Sequence, residues 1–207
     1  MSKKKRAPGR REDHYARQAR TDRYPARSVY KLMEIQKKHG LIKRNDTVVD
    51  LGCAPGSWLL YAAELVGPGG AVSGLDKKPV SARMPANVTL HIGDINDFDT
   101  GLLQKKTGGV KVVLSDMAPD TTGNKSVDAA RSHELAARAL AFALSALAPG
   151  GNFACKIFQG EDFKPFVNQV KNGFERHVIF KPESCRKESR ETYVIGLKKK
   201  ESTDVGT

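Results

Sequence analysis

Short apolar runs alternate with helical stretches along this chain, and this alternation constrains the fold more than any other feature. Runs rich in Val, Ile and Leu occur at 47–51, 71–76, 88–94, 111–116, 152–158, 177–180 and 192–197. Helical spacing fills intervals between them, at 27–39, 56–66, 98–105, 127–147 and 162–172. Because unbroken apolar strands separated by helices form sheets buried on both faces, the pattern predicts an α/β fold. We expect a mainly parallel, seven-stranded sheet with helices on both faces.

The length of the chain, 207 residues, fits one domain with an ordinary core. We expect a flexible basic arm at 1–22, a single domain at 23–200 and a disordered tail at 201–207. No apolar run approaches the roughly 20 residues that a membrane span requires. The basic amino terminus is not followed by an apolar signal core. These features predict a cytoplasmic protein, with a monomer as the default state.

The three cysteines, Cys53, Cys155 and Cys185, form neither a CxxC pair nor an even-numbered framework. The five histidines form no ligand pattern either. We therefore expect free thiols, without a disulfide scaffold or a metal site.

Positive charge is concentrated at the beginning of the chain. Lysines and arginines exceed acidic residues by 35 − 23 = 12 overall, and residues 1–44 alone contribute 15 − 4 = 11 of this excess. Such a concentration favours contact with a phosphate backbone through counterion release. Solvated charge is the alternative for 3–11, whereas basic residues between 17 and 44 alternate with apolar ones and indicate an ordered surface. The candidate RNA contacts are Arg17, Arg20, Arg23, Arg27, Lys37 and Lys38.

The turn after the first strand, DLGCAPGSW at 50–58, is the predicted ligand site, because open α/β sheets bind ligands at the carboxyl ends of their strands. Its GxxxG spacing matches neither the dinucleotide fingerprint nor a P-loop. Asp50 at the strand end would repel a pyrophosphate, whereas it would stabilise an ammonium or sulfonium group. The turn therefore favours S-adenosylmethionine over NAD or ATP.

Four successive strands each end in an aspartate, at Asp50, Asp76, Asp94 and Asp116. Helix capping could explain any one of them alone, but it explains all four together poorly. Asp76 suits the ribose hydroxyls of the adenosyl group, and Asp94 with Ile95 suits its adenine edge. For Trp58, core packing and proximity to the cofactor both stay open. The candidate cofactor residues are Asp50, Gly52, Ala54, Pro55, Gly56, Trp58, Asp76, Asp94, Ile95 and Asp116.

Five strings resemble those of the FtsJ-type, heat-shock-associated ribosomal RNA 2′-O-methyltransferases, in the same order. They are RSVYKL (27–32), VVDLGCAPGSW (48–58), LSDMAP (114–119), CKIFQG (155–160) and SRETYVIG (189–196). The resemblance implies a Rossmann-like methyltransferase sheet that ends in an antiparallel hairpin. It also implies S-adenosylmethionine as cofactor and a uridine of large-subunit, 23S-type ribosomal RNA as acceptor.

The resemblance further implies a Lys-Asp-Lys-Glu active site, which matches Lys31, Asp116, Lys156 and Glu191. Lys156 can accept a proton only in its neutral form, which neighbouring cations and partial burial favour. We expect Asp116 to hold the amine of Lys156, and Glu191 to orient Lys31 or the acceptor ribose. Much of the acceleration should come from aligning the hydroxyl, methyl and sulfur atoms.

Other methyltransferase classes fit the sequence less well. Residues 116–120 read DMAPD and lack the Pro-Pro-aromatic that grips a flipped base. No cysteine lies between Cys53 and Cys155, where a cytosine-carbon methyltransferase needs its nucleophile. A metal-dependent small-molecule O-methyltransferase leaves the basic amino terminus unexplained. Two alternatives stay open: a transfer RNA 2′-O-methyltransferase, and a ribosome-assembly factor that binds RNA without turnover.

Overall fold

The computed structural model describes residues 14–98, 109–186 and 188–201. Its helices are α1 (His14–Thr21), α2 (Val29–His39), α3 (Ser57–Val66), α4 (Lys125–Ala146) and α5 (Phe163–Gly173), with a 3-10 turn at Ile95–Asp97. Its strands are β1 (Thr47–Leu51), β2 (Ala71–Asp76), β3 (Val88–Ile92), β4 (Val110–Ser115), β5 (Leu147–Phe158), β6 (Phe174–Phe180) and β7 (Glu191–Lys199). In the described part of the chain, no helix combines the length and apolar character needed to cross a membrane.

The seven strands form one sheet in the order β3-β2-β1-β4-β5-β7-β6. Strands β1 to β5 pair in parallel, whereas β7 runs antiparallel to both β5 and β6. The predicted mainly parallel sheet with an antiparallel hairpin at its end is thus confirmed. The chain moves outward from β1 to β3 and then returns to β4 on the other side of β1. The carboxyl ends of β1 and β4 therefore flank the crevice where such sheets bind ligands.

Helices cover both faces of the sheet, as the apolar runs predicted. Neighbouring residues of a strand point to opposite faces, so Val48 of β1 packs on the side of α2 and α3, and Val49 on the side of α4 and α5. Val112 and Val113 of β4 divide in the same way. Both faces of the central strands are therefore buried, which explains why these runs are apolar without alternation.

The predicted flexible arm at 1–22 is wrong for its last part. Residues 14–21 form α1, and Ala19 packs against Val29 and Tyr30 at the start of α2. Burial of the small apolar face of α1 offsets the cost of ordering this short helix. Residues 1–13 lie outside the described residues.

The predicted boundaries of β5 and β3 differ from those of the structure. Strand β5 begins at Leu147, so the PGG at 149–151 lies within a strand instead of closing the preceding helix. Strand β3 ends at Ile92, two residues before the predicted end at Asp94. The helix predicted at 98–105 lies outside the described residues, except for Phe98, and so does the tail beyond Glu201.

Candidate active site

A cavity of about 720 Å³ opens at the carboxyl ends of the parallel strands. Six of the ten predicted cofactor residues line it: Gly52, Ala54, Asp76, Asp94, Ile95 and Asp116. The loop from Met117 to Asp120 and the α4 residues Arg131, Glu134, Leu135 and Arg138 line the rest, together with lysines after β2. Asp50, Pro55, Gly56 and Trp58 lie outside this lining.

Two glycines shape the turn between β1 and α3. Gly52 and Gly56 have φ angles of 75° and 108°, a backbone region that side chains disfavour. A Cβ on Gly52 would also collide with the side chain of Met117, and one on Gly56 would come within 2.6 Å of Met84 Cε. The glycines therefore allow both the tight turn and the close approach of the two loops that border the cavity.

Asp50 is buried in β1, with only 1% of its surface exposed. Among the described residues, its Oδ2 atom has no hydrogen-bond partner. Burial raises the pKa of Asp50 well above its ordinary value, and the negative charges of Asp116 and Asp76 add to this effect. A buried, unpartnered carboxylate fits a site that receives a cationic group, as the sequence predicted for this position.

Asp76 and Asp94 fix the other side of the cavity. Asp76 accepts the backbone N–H groups of Ala54 and Lys78, both at 2.8 Å, and so ties the end of β2 to the glycine turn. Asp94 caps the 3-10 turn through the N–H of Asn96 and pairs with Lys77 at 2.7 Å. The Asn96 N–H and the Lys77 ammonium lower the pKa of Asp94. Both side chains thus place hydrogen-bond acceptors at the rim.

The four predicted catalytic residues meet in one charged cluster (Lys31, Asp116, Lys156 and Glu191) beside this cavity. Lys156 Nζ lies 3.0 Å from Asp116 Oδ1 and also donates to the backbone oxygen of Asp116. Lys31 Nζ lies 2.7 Å from Glu191 Oε1 and 3.7 Å from Asp116 Oδ1. Their side chains are between 6% and 17% exposed, so the charges interact with little screening by water.

Each carboxylate in the charged cluster stabilises a lysine, and the pKa values reflect this balance. Burial alone would raise the pKa of Asp116, but Lys156 and Lys31 outweigh it and lower the pKa. Burial would likewise lower the pKa of Lys31, but Asp116 and Glu191 outweigh it and raise the pKa. Asp116 and Lys31 are therefore charged at neutral pH.

Two further residues support the charged cluster, and the sequence analysis missed both. The hydroxyl of the fully buried Tyr193 donates to Asp116 Oδ1 at 2.5 Å and lies 3.3 Å from Glu191 Oε1. The thiol of Cys185 donates to the same oxygen of Glu191 at 3.1 Å. A sequence signal existed for Tyr193, because residues two apart on a strand share a face and Glu191 was already a candidate.

The loop between β6 and β7 is held against α2, which carries Lys31. Glu34 accepts the backbone N–H groups of Glu183 and Ser184, at 2.6 and 2.9 Å. The guanidinium of Arg27 donates to the carbonyl oxygen of Ser184 and lies 5.4 Å from the ring centre of Tyr15. These contacts fix the approach of the chain to Glu191.

The predicted RNA-binding residues fall into two groups. Arg17, Arg20, Arg23, Lys37 and Lys38 are exposed. Arg27 is half-buried and serves the internal contacts just described, and its contact with RNA stays a prediction. Sequence could not separate it from its neighbours, because its partner Ser184 is 157 positions away. Lys38 also packs on Phe180, 4.8 Å from the ring centre.

Trp58 lies in the core instead of against the cavity, which is the first of its two predicted alternatives. It is 3% exposed, and its indole N–H donates to the carbonyl oxygen of Ser28 at 2.8 Å. The three cysteines are free and buried, as expected for internal thiols.

Comparison with known proteins agrees with this geometry. Residues 24–199 match the model of the family described as FtsJ-like methyltransferase. A protein of Desulfosudis oleivorans named Ribosomal RNA large subunit methyltransferase E is 62% identical over 195 residues, which cover 94% of each chain. Its namesake in Desulfatibacillum aliphaticivorans is 48% identical over the full length of both chains.

A solved structure shares the fold. A candidate ribosomal RNA methyltransferase of Plasmodium falciparum superposes with a TM-score of 0.73 at 27% identity, over 85% of this chain and 98% of its own. The family model spans the glycine turn, the aspartates of the cavity and all four members of the charged cluster. The chain therefore belongs to the FtsJ-like methyltransferase family.

Proposed function

We propose that this protein transfers a methyl group from S-adenosylmethionine to the ribose 2′-hydroxyl of a uridine in large-subunit ribosomal RNA. The charged cluster beside an aspartate-lined cavity is the observation that carries the proposal. The names of the relatives from Desulfosudis oleivorans and Desulfatibacillum aliphaticivorans support ribosomal RNA as the substrate. The proposal also takes the protein to be cytoplasmic and monomeric. Light scattering in solution would test whether it is a monomer.

The residues of the cavity fit S-adenosylmethionine. Gly52 and Ala54 in the lining allow close backbone approach, and Asp76 offers acceptors to the ribose hydroxyls. Asp50, next to the lining residue Leu51, has one buried oxygen without a partner among the described residues, which would suit a positive group. Asp94 and Ile95 would border the adenine. When bound, the cofactor supplies a methyl group on a positively charged sulfur, which is open to attack by a ribose oxygen.

Lys156 would receive the proton of the 2′-hydroxyl, because it is the buried amine beside Asp116. It can accept this proton only when its amine is neutral. Asp116 fixes this amine through both its carboxylate and its backbone oxygen. The negative charge of Asp116 also stabilises a positive group in the adjoining cavity. Nothing in this arrangement requires Asp116 to change its protonation.

Lys31 and Glu191 would orient the acceptor nucleotide. Lys31 is held charged by Glu191 and Asp116, so it can donate to the ribose or the neighbouring phosphate. Positioning of this kind supplies a large part of the acceleration in transfers between two bound groups. The exposed basic residues on α1 and at the end of α2 would hold the surrounding RNA.

Transfer of a labelled methyl group from S-adenosylmethionine to ribosomal subunits, followed by alkaline hydrolysis of the RNA, tests the proposal. A 2′-O-methyl group blocks cleavage at its own phosphodiester, so an alkali-resistant labelled dinucleotide is expected. Label in an alkali-sensitive mononucleotide would mean base methylation and would overturn the assignment of the charged cluster. Label on transfer RNA alone would move the substrate, and no label on any RNA would favour a non-catalytic assembly factor.

A further inference from the structure

Trp58 and its neighbour Ser57 join the start of α3 to the segment that leads into α2. The indole N–H of Trp58 donates to the carbonyl oxygen of Ser28 at 2.8 Å, and the backbone N–H of Lys31 donates to this same oxygen at 3.1 Å. The hydroxyl of Ser57, which is buried, accepts the backbone N–H of Ala26 at 2.7 Å. Two hydrogen bonds thus fix the position of the first turn that presents Lys31.

The indole ring also packs against Tyr193, the residue that contacts the carboxylates of Asp116 and Glu191. The ring centres of Trp58 and Tyr193 are 5.9 Å apart, with 30° between the ring planes. Tyr193 in turn donates to Asp116 and approaches Glu191. Both rings are almost wholly buried, so a shift of one moves the other without water filling the gap.

Trp58 also follows directly from the glycine turn that borders the cavity. Gly56 ends this turn, and its N–H donates to the carbonyl oxygen of Cys53 at 2.7 Å. The carbonyl oxygen of Gly56 then accepts the N–H of Leu60 and so starts α3. A change in the turn is therefore transmitted to Ser57 and Trp58 through rigid helical backbone.

We propose that Trp58, assisted by Ser57, is a positioning residue that aligns the charged cluster with the cofactor turn. It acts through Ser28 on Lys31 and through Tyr193 on Asp116 and Glu191. This inference rests on the proposed methyl transfer for its catalytic consequence. When S-adenosylmethionine restricts the motion of the glycine turn at 52–56, Trp58 also restricts the first turn of α2. Trp58 does so although it does not line the cavity.

Steady-state kinetics of Trp58→Phe test the catalytic consequence. Phenylalanine keeps an aromatic ring against Tyr193 and removes the donor to Ser28. Because misplacing a reacting group lowers the rate more than it lowers cofactor binding, we expect kcat to fall about tenfold, with the KM for S-adenosylmethionine unchanged within about twofold. Rates are expressed per bound cofactor, so that unfolded protein does not contribute.

Asn87→Ala is the matched control. The amide of Asn87 donates to the carbonyl oxygens of Ala63 and Gly67, at the opposite end of α3 from Trp58. Its loss removes buried hydrogen bonds of the same kind, but kcat should stay within about twofold of the wild-type value. Equal kcat values for Trp58→Phe and Asn87→Ala, each per bound cofactor, would overturn the proposal.

Hydrogen exchange with and without S-adenosylmethionine tests the linkage without RNA. In the wild type we expect added cofactor to slow exchange both in the turn at 52–56 and at the Lys31 amide. In Trp58→Phe only the turn should be protected. Protection of the Lys31 amide in the variant would reject the linkage even if methylation is observed. Loss of that protection in a protein that methylates no RNA would leave the linkage in place and reject the proposed reaction.

Discussion

The cavity and the charged cluster handle buried charge in opposite ways. In the charged cluster, two lysines and two carboxylates neutralise one another over distances of 2.7 to 3.7 Å. Asp50, which precedes the cavity residue Leu51 in β1, keeps a buried oxygen atom for which the described residues provide no partner. Its pKa is raised by burial, whereas the pKa of Asp116, whose side chain is 17% exposed, is lowered because the two lysines outweigh burial.

This difference shows which half of the site is complete in the protein alone. The charged cluster has its charges satisfied before any ligand arrives, so the fold itself sets its geometry. Asp50, next to the cavity residue Leu51, is a buried carboxylate that destabilises the free protein and that a cationic ligand would compensate. Substitutions that remove one charge should therefore have opposite effects in the two halves.

The largest effect is expected from Lys156→Ala. Removal of a general base typically lowers the rate by two to four orders of magnitude, so we expect kcat for RNA methylation to fall about 10³-fold. The affinity for S-adenosylmethionine, measured by calorimetry, should change by less than about threefold, because Lys156 does not line the cavity. Lys164→Ala, at an exposed site on α5, serves as the control. Near-normal turnover of Lys156→Ala would show that the assigned role is wrong.

Thermal unfolding of two aspartate variants without cofactor tests the comparison directly. Asp116→Asn leaves two buried lysines short of a partner, and breaking such a pair costs roughly 3–5 kcal/mol. Asp50→Asn removes the unsatisfied charge, and a gain of about 1 kcal/mol would raise the Tm by about 2–4 °C. A lower Tm for Asp50→Asn would mean that Asp50 has a stabilising partner after all.

The pH dependence of these differences has a definite sign. The folded pKa of Asp116 is lowered, so its stabilisation is present above the ordinary carboxyl value of 3.8 and is lost as the pH falls through the folded value. The folded pKa of Asp50 is raised, so its cost appears as the pH rises above 3.8 and grows up to the folded value. Urea unfolding between about pH 4 and pH 8 should therefore show Asp50→Asn approaching the wild type at the acidic end. The deficit of Asp116→Asn should persist down to pH 3.8 and shrink only below it.

A smaller effect is expected for cofactor binding by Asp50→Asn. A hydrogen bond to a charged group contributes about 1.5–3 kcal/mol, so the Kd for S-adenosylmethionine should rise roughly 10- to 100-fold. The product S-adenosylhomocysteine, whose sulfur is uncharged, should lose less affinity if Asp50 acts partly on the sulfonium. Unchanged affinity for both ligands would remove Asp50 from the cofactor site.

The smallest effect should come from the exposed basic residues on α1 and α2, which belong to neither the cavity nor the charged cluster. Arg17→Ala should weaken RNA binding a few-fold and reduce the slope of log K against log salt by roughly 0.7 to 0.9. Arg27→Ala should instead lower the Tm, because it removes the contact with Ser184. A filter-binding titration at several salt concentrations separates the two. Equal salt slopes for both variants would show that Arg27 contacts RNA phosphates as Arg17 does.

The sequence predicted the parts of this site that follow from strand ends. Buried strands of a parallel sheet deliver their carboxyl-terminal residues to one edge, so Asp76 and Asp116 could be placed beside the glycine turn without a structure. The glycines at 52 and 56 likewise indicated a tight turn after β1. These rules are local, and they hold because the apolar pattern fixes the register of each strand.

The contacts that the sequence missed join segments far apart in the chain. Arg27 reads as one more basic residue until the β6–β7 loop packs against it. Trp58 stays open between core and cofactor until Ser28, just before α2, accepts its indole N–H. The helical arm before α2 was missed for a similar reason, since Ala19 gains its burial only from α2. No spacing rule within one segment reports such long-range pairs.

The position of β7 late in the sequence means that part of the charged cluster is translated after all the residues that line the cavity. The cavity is lined by residues between Leu51 and Arg138, whereas Glu191 and Tyr193 lie on a strand that is inserted between β5 and β6. Glu191 is synthesised 191 − 31 = 160 residues after Lys31. A chain still being translated therefore contains every residue that lines the cavity before it can complete the charged cluster. Any nascent chain that ends before β7 lacks Glu191 and Tyr193.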